Sequence, residues 1–122
     1  MTNCYRKYKV AVILGYYNGA KYIKEQIYSI FNQSHENIDL YIFDDCSSDP
    51  FDLNILKLTS EQLKRIHVLY RAYNLGFPKN FLEALLHFNN HQYDYFSFSD
   101  QDDIWDADKI INAIKDIINT IK

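Results

Sequence analysis

Residues 39–49 read DLYIFDDCSSD. An apolar and aromatic run, Leu40 to Phe43, stops on two adjacent acids, Asp44 and Asp45, and a short polar turn. Such a run fits a strand buried on both faces, whereas two neighbouring carboxylates repel each other and resist burial. The stretch therefore reads as a strand, Asp39 to Asp44, that carries an acidic turn to one edge of a sheet.

The same design recurs outward in both directions. Upstream, KVAVIL (Lys9 to Leu14) is a β-branched run that stops at the turn GYYNGA. From Lys21 to Asn32, Ile23, Ile27, Ile30 and Phe31 repeat at helical spacing. Downstream, Leu53, Leu56 and Leu63 predict a weak helix between Phe51 and Leu63, and IHVLY (Ile66 to Tyr70) predicts a third strand. Gly76 and Pro78 interrupt RAYNLGFPKN before a helix expected over Asn80 to Phe88. A fourth strand is expected over Tyr93 to Phe98. A last helix starts at the N-cap candidate Asp106 and carries Ile110, Ile111, Ile114, Ile117, Ile118 and Ile121 on one broad face. The order βαβαβαβα implies right-handed crossovers, a mainly parallel sheet and a ligand edge outside the carboxyl ends of the strands.

Composition narrows the function classes. The chain has 122 residues, enough for one domain with a real core, and a formal net charge of −3, which gives no basic footprint for a nucleic-acid backbone. No apolar run approaches the roughly 20 residues of a membrane span, and the N-terminus lacks a signal-peptide pattern. Cys4 and Cys46 have neither metal-ligand spacing nor disulfide density and read as free thiols in a reducing compartment. The expected location is cytoplasmic, or peripheral at the inner face of the cell membrane.

All four polar clusters follow strands: GYYNG, DDCSSD, NLGFPKN and SDQDDIW. They should meet along one edge. Asp49 and Asp106 read as turn or cap residues. The pair Asp44 and Asp45 exceeds what a cap needs, and so does the group Asp100, Asp102 and Asp103. Acids at the carboxyl edge of a parallel sheet suit a nucleotide diphosphate bridged to protein by Mg²⁺ or Mn²⁺, which prefer oxygen ligands and are commonly held by one or two carboxylates. No GxGxxG follows the first strand and no Walker loop is present. A response-regulator receiver is excluded as well, because its first strand must end in acids and this one ends in Gly15-Tyr16-Tyr17-Asn18.

The stretches VAVILGYYNGAKYIKEQIYSIFNQSHENIDLYIFDDCSSD, NLGFPKNF and FSFSDQDDIWDADKI resemble, in order and spacing, the N-terminal half of a family 2 glycosyltransferase of the GT-A fold, and in particular bacterial rhamnosyltransferase-like and polysaccharide-biosynthesis members. The resemblance implies an α/β three-layer sandwich with a mainly parallel, Rossmann-like sheet, truncated, with residues 1–122 as a single nucleotide-sugar-binding domain. It implies that Tyr17 packs on the nucleobase, that Asp45 hydrogen-bonds the base, and that Asp44 supports the loop or the ribose. Lys79 matches a basic position near the ribose or diphosphate. Asp100 falls near ribose and metal, and Asp102 is the metal ligand of a DxD motif, with Mg²⁺ or Mn²⁺ as the cofactor. Asp103 and Trp105 shape the loop.

What the resemblance implies for function is inverting, metal-dependent transfer of a sugar from a nucleoside-diphosphate donor, a UDP or dTDP sugar favoured, to a glycan or lipid-linked glycan in surface polysaccharide biosynthesis. The catalytic base is expected outside this chain, so no residue is assigned that role. A nucleotide-sugar-binding module without transferase activity is the alternative, and a purely structural or regulatory α/β domain is a third reading.

Overall fold

The computed structural model describes residues 4–88, 92–100 and 103–120. Four strands form one parallel sheet: β1 (Val10–Tyr16), β2 (Ile38–Asp44), β3 (Ile66–Tyr70) and β4 (Tyr95–Ser99), in the order β3-β2-β1-β4. Helix α1 (Ile23–Phe31) links β1 to β2, α2 (Ser60–Leu63) precedes β3, α3 (Phe77–His87) links β3 to β4, and α4 (Lys109–Thr120) follows β4. β1 and β2 pair in register over their full length, with Val10 opposite Ile38 and Tyr16 opposite Asp44, so the ends of both strands, and the loops that leave them, lie side by side.

Alternation along β1 divides the core. Val10, Val12, Leu14 and Tyr16 face α1 and α4, where they meet Ile23, Ile27, Ile30, Ile110 and Ile114. Ala11 and Ile13 point to the other face, where Tyr41, Phe43, Tyr93 and Ala84 of α3 close a second core. A side chain with period two thus serves two layers of helices, and the outcome is the expected three-layer sandwich. Ile23, Ile27 and Ile30 are buried to 1% exposure or less, each worth about 1.5–3 kcal/mol of burial. A charge at Ile27 would sever α1 from the sheet.

Four expectations are corrected. The weak helix between Phe51 and Leu63 is instead a 3₁₀ turn at Leu53–Ile55 and a separate one-turn α2. Asp52 caps the first and a Thr59–Gln62 capping box starts the second, while Leu56 is extended between them and, with Leu58, packs on the core. α3 begins at Phe77, three residues before the expected start, because Pro78 sits in the first turn, where the missing N–H is not needed. β4 runs Tyr95–Ser99, shifted two residues toward the acidic loop at its start. α4 starts at Lys109 rather than at Asp106, and its buried face is narrower than expected: Ile110, Ile111 and Ile114 are buried but Ile117 is 43% exposed. Ile121 lies outside the described residues.

Candidate functional site

The loops after β1 and β2 are zipped together by Asn18. Its backbone takes a left-handed φ of 49°, which asparagine tolerates, and its N–H donates to Ser47 Oγ at 2.9 Å. Its side-chain Oδ1 accepts from the Asp49 N–H at 2.9 Å and from Ser48 Oγ. Tyr16 adds a bond from its hydroxyl to the Asp49 carbonyl, 3.3 Å. Burial, followed by the charges of Asp49 and Asp44, raises the Tyr16 pKa, so the hydroxyl stays protonated as a donor. Asp49 therefore serves the turn through its backbone, as expected for a turn residue.

The two adjacent acids have separate tasks. Asp44 is 1% exposed and folds back into its own loop, where one oxygen accepts from Ser47 N–H at 3.0 Å and the other from Phe51 N–H at 2.8 Å. Of the two roles expected for it, this is support of the loop. Asp45 is 4% exposed and reaches across to the loop that enters α3. Its Oδ1 accepts from Leu75 N–H at 2.7 Å and its Oδ2 from Gly76 N–H at 2.9 Å, while its carbonyl accepts from the Asn74 side chain. Gly76, the N-cap of α3, has φ 84° and needs glycine there. A carboxylate at this place also faces the positive end of α3. Each oxygen keeps a second lone pair for a ligand donor.

Asp45 lines a cavity of about 280 Å³ over the end of β1, with Gly15, Tyr16, Tyr17, Asn74, Gly76, Phe77, Asn80 and Phe81. Tyr17, 49% exposed, is among its lining residues. Gly15 forms part of the floor: a Cβ at that position would stand 3.4 Å from Phe81 Cζ. Phe77 and Phe81 also line a second depression, with Phe98 and Asp100, so an aromatic path leads from Asp45 at the end of β2 to Asp100 just past β4. Lys79 is not on this path; it faces a separate cleft with Tyr70, Arg71, Tyr73 and Glu83.

Asp100 is exposed and leaves β4 at the ligand edge. Asp102, expected as the metal ligand, lies outside the described residues, and among the described residues no group of three or more His, Cys, Asp or Glu side chains could hold a metal ion. The exposed carboxylates of Asp100 and Asp103, on either side of residues 101–102, supply hard oxygen donors of the kind Mg²⁺ or Mn²⁺ accepts. Asp103 accepts from Trp105 Nε1 at 3.3 Å, and Trp105 is 6% exposed under Lys109, so both shape the loop as expected.

Sequence reasoning missed the amides. Asn80 is 4% exposed and joins three elements: its Oδ1 accepts from Arg71 Nε at 2.5 Å, its carbonyl from Arg71 Nη2, and its Nδ2 donates to the Phe43 carbonyl. Gln26 and Gln33 are buried in α1 and just beyond it. The signal was present in their phase: Gln26 and Gln33 each follow an isoleucine of the apolar stripe, Ile23 and Ile30, by three residues.

The arrangement has counterparts. The family model for glycosyl transferase family 2 matches residues 11–120. The dTDP-rhamnosyl transferase RfbG of Shigella flexneri is 41% identical over 100 residues, covering 80% of this chain and 34% of that protein. The putative teichuronic acid biosynthesis glycosyltransferase TuaG of Bacillus subtilis is 37% identical over 101 residues, covering 83% of this chain and 38% of that protein. The crystal structure of S. aureus TarS residues 1–349 in complex with UDP superposes with a TM-score of 0.71 at 27% identity, covering 91% of this chain and 32% of that one. The chain thus spans about a third of the length of these two curated relatives. With a family match running from β1 to the end of α4, this chain belongs to glycosyl transferase family 2.

Proposed function

We propose that residues 1–122 form the N-terminal, nucleotide-sugar-binding domain of an inverting glycosyltransferase that moves a sugar from a nucleoside diphosphate to a glycan or lipid-linked glycan in surface polysaccharide biosynthesis. The observation that carries this reading is a pair of depressions that share Phe77 and Phe81, one lined by Tyr17 and the buried Asp45 and the other by the exposed Asp100. In this reading the base stacks on Tyr17 and donates to Asp45, Asp100 lies near the ribose, and Asp100 and Asp102 would hold Mg²⁺ or Mn²⁺ for the diphosphate. The cation supplies Lewis-acid neutralisation of charge on the departing diphosphate.

This chain's own residues do the positioning. Asp45 orders the loop entering α3 and accepts from the base; Asp44 keeps the β2 turn closed; Asn18 locks the turn that bears Tyr17. A UDP or dTDP sugar is the favoured donor: TarS is described in complexes with UDP and UDP-GlcNAc, and RfbG as a dTDP-rhamnosyl transferase. No residue of this chain is assigned as the base that deprotonates the acceptor hydroxyl. Among the described residues no helix is long and apolar enough to cross a membrane, which accords with a cytoplasmic enzyme or one peripheral to the membrane's inner face. Calorimetric titration of the 122-residue chain with UDP, dTDP and GDP, with and without Mn²⁺, tests the proposal. Binding of a pyrimidine diphosphate that strengthens with Mn²⁺ is expected; no binding of any of the three refutes it.

The alternative is a nucleotide-sugar-binding module without transferase activity. Donor binding without release of nucleoside diphosphate in the presence of acceptor separates it from the transferase.

A further inference from the structure

The chain on either side of residues 101–102 is fastened to α1 and to the turn that ends it. Gln26 and Ser29 of α1, and Gln33 two residues past its end, recur at i, i+3 and i+7. Gln26 is fully buried; its Nε2 donates to Ser99 Oγ at 2.8 Å and to the Asp100 carbonyl. Ser29 Oγ accepts from the Trp105 N–H at 3.1 Å. Gln33 Nε2 donates to the Asp106 carbonyl at 2.6 Å, and its Oε1 accepts from the Ile110 N–H at 3.0 Å, capping α4 from outside. The contacts therefore bracket residues 101–102 from both sides, at 99–100 and at 105–110.

An apolar residue would serve the core as well at the Gln26 position, between Ile23 and Ile27. A buried amide stabilises no more than good packing does, and an unmatched one costs about 1–3 kcal/mol, so what it adds is register. In the observed setting of β4's exit against α1, Ser99 and the Asp100 carbonyl both accept from the Gln26 Nε2. We propose that Gln26 is a positioning residue for the cation site: by holding Ser99 and the Asp100 carbonyl it fixes the direction in which Asp100 leaves the sheet, and so where the Asp100 carboxylate meets a diphosphate-bound divalent cation. Ser29 and Gln33 fix the far end. This inference rests on the donor-site reading above.

The test is calorimetric titration of the 122-residue chain with UDP over a series of Mn²⁺ concentrations, read as the concentration giving half-maximal enhancement of binding. Uridine without metal reports the base cavity separately. Gln26→Leu keeps the volume and removes the donor. Its expected effect is a rise of about 10-fold to 100-fold in the Mn²⁺ midpoint, the usual consequence of losing a group that orients metal ligands, with uridine affinity unchanged. Ser99→Ala, which removes one acceptor and leaves the amide in place, should raise the midpoint in the same direction by less, and it decides the matter if Gln26→Leu does not fold. An unchanged midpoint in a folded variant overturns the inference. Wild-type chain that binds uridine and UDP but shows no response to Mn²⁺ overturns the cation-site reading instead, and this inference with it.

Discussion

Asp44 offers the sharpest test of how the site is built, because the structure makes it a fold residue in the middle of a functional motif. Replacing it with alanine removes two charge-assisted hydrogen bonds, to Ser47 N–H and to Phe51 N–H. Bonds to charged groups contribute about 1.5–3 kcal/mol each. Phe51 is 2% exposed, so its N–H is left without water, whereas Ser47 is half-buried and recovers part of its loss from solvent. The sum is a loss of about 3–4 kcal/mol, a large share of the roughly 5–15 kcal/mol of a typical domain. With a urea slope of about 1–3 kcal/mol/M, the unfolding midpoint should fall by at least about 1 M. Asp44→Asn should lose a comparable amount, since one end of the amide is itself a donor and must face a backbone N–H. Urea unfolding followed by circular dichroism and by the fluorescence of the single tryptophan, Trp105, measures both variants. A loss below about 1 kcal/mol in Asp44→Ala would mean that the two bonds do not hold the turn, and the separation of tasks between Asp44 and Asp45 would fall.

Three further outcomes follow from neighbouring residues. Asp45→Asn should weaken UDP binding by about tenfold or more, because its amide cannot accept from both Leu75 and Gly76, while the urea midpoint moves less than in Asp44→Ala; calorimetry and unfolding on one sample compare the two. Gly15→Val should abolish UDP binding with the near-ultraviolet circular dichroism spectrum retained, since its Cβ already stands 3.4 Å from Phe81 Cζ and 3.5 Å from Asn80 Nδ2 and further methyls must push Phe81 into the cavity. Tyr93 should resist ionisation far above the ordinary tyrosine value of 10.0, because it is buried and donates to Asp39 at 2.6 Å beside the Tyr41 hydroxyl. Above pH 10 the unfolded chain then loses a proton the folded chain keeps, so stability falls as pH rises, by up to about 1.4 kcal/mol per pH unit from this residue; Tyr93→Phe should flatten that slope in urea titrations.

How far the fold could be read in advance depended on what each element needed. β1 and β2 are buried on both faces, so an unbroken apolar run was enough to mark them. The segment from Phe51 to Leu63 misled, because Leu53 and Leu56 pack on the core from a turn and an extended link rather than from a helix, and spacing alone does not separate those cases. Pro78 misled in the opposite sense: its position within the first turn of α3, where no N–H is needed, made it a start signal. The acids of the site were visible because charge at a strand end is unusual. The partners of Asn18, Gln26, Gln33 and Asn80 were not: phase marks Gln26 and Gln33 as lying beside the apolar stripe, but what an amide binds lies far away in sequence, Ser99 across 73 positions from Gln26 and Phe43 across 37 from Asn80.

The acids also differ in what answers their charge, and that difference orders the site. Asp44 is answered by two N–H groups of its own loop, and Asp45 by two N–H groups at the entrance of α3 together with the positive end of that helix. Asp39, on the opposite face, is answered by the Tyr93 hydroxyl and by Lys9 at 3.5 Å. Asp103 takes the Trp105 indole N–H. Asp100 breaks the series: its backbone carbonyl is held by Gln26, yet among the described residues its carboxylate takes no hydrogen bond and no ion pair. The proposed cation site at the end of β4 rests on this difference: Asp44 and Asp45 already have backbone N–H donors, whereas the exposed Asp100 carboxylate is open to an opposing charge from outside the protein.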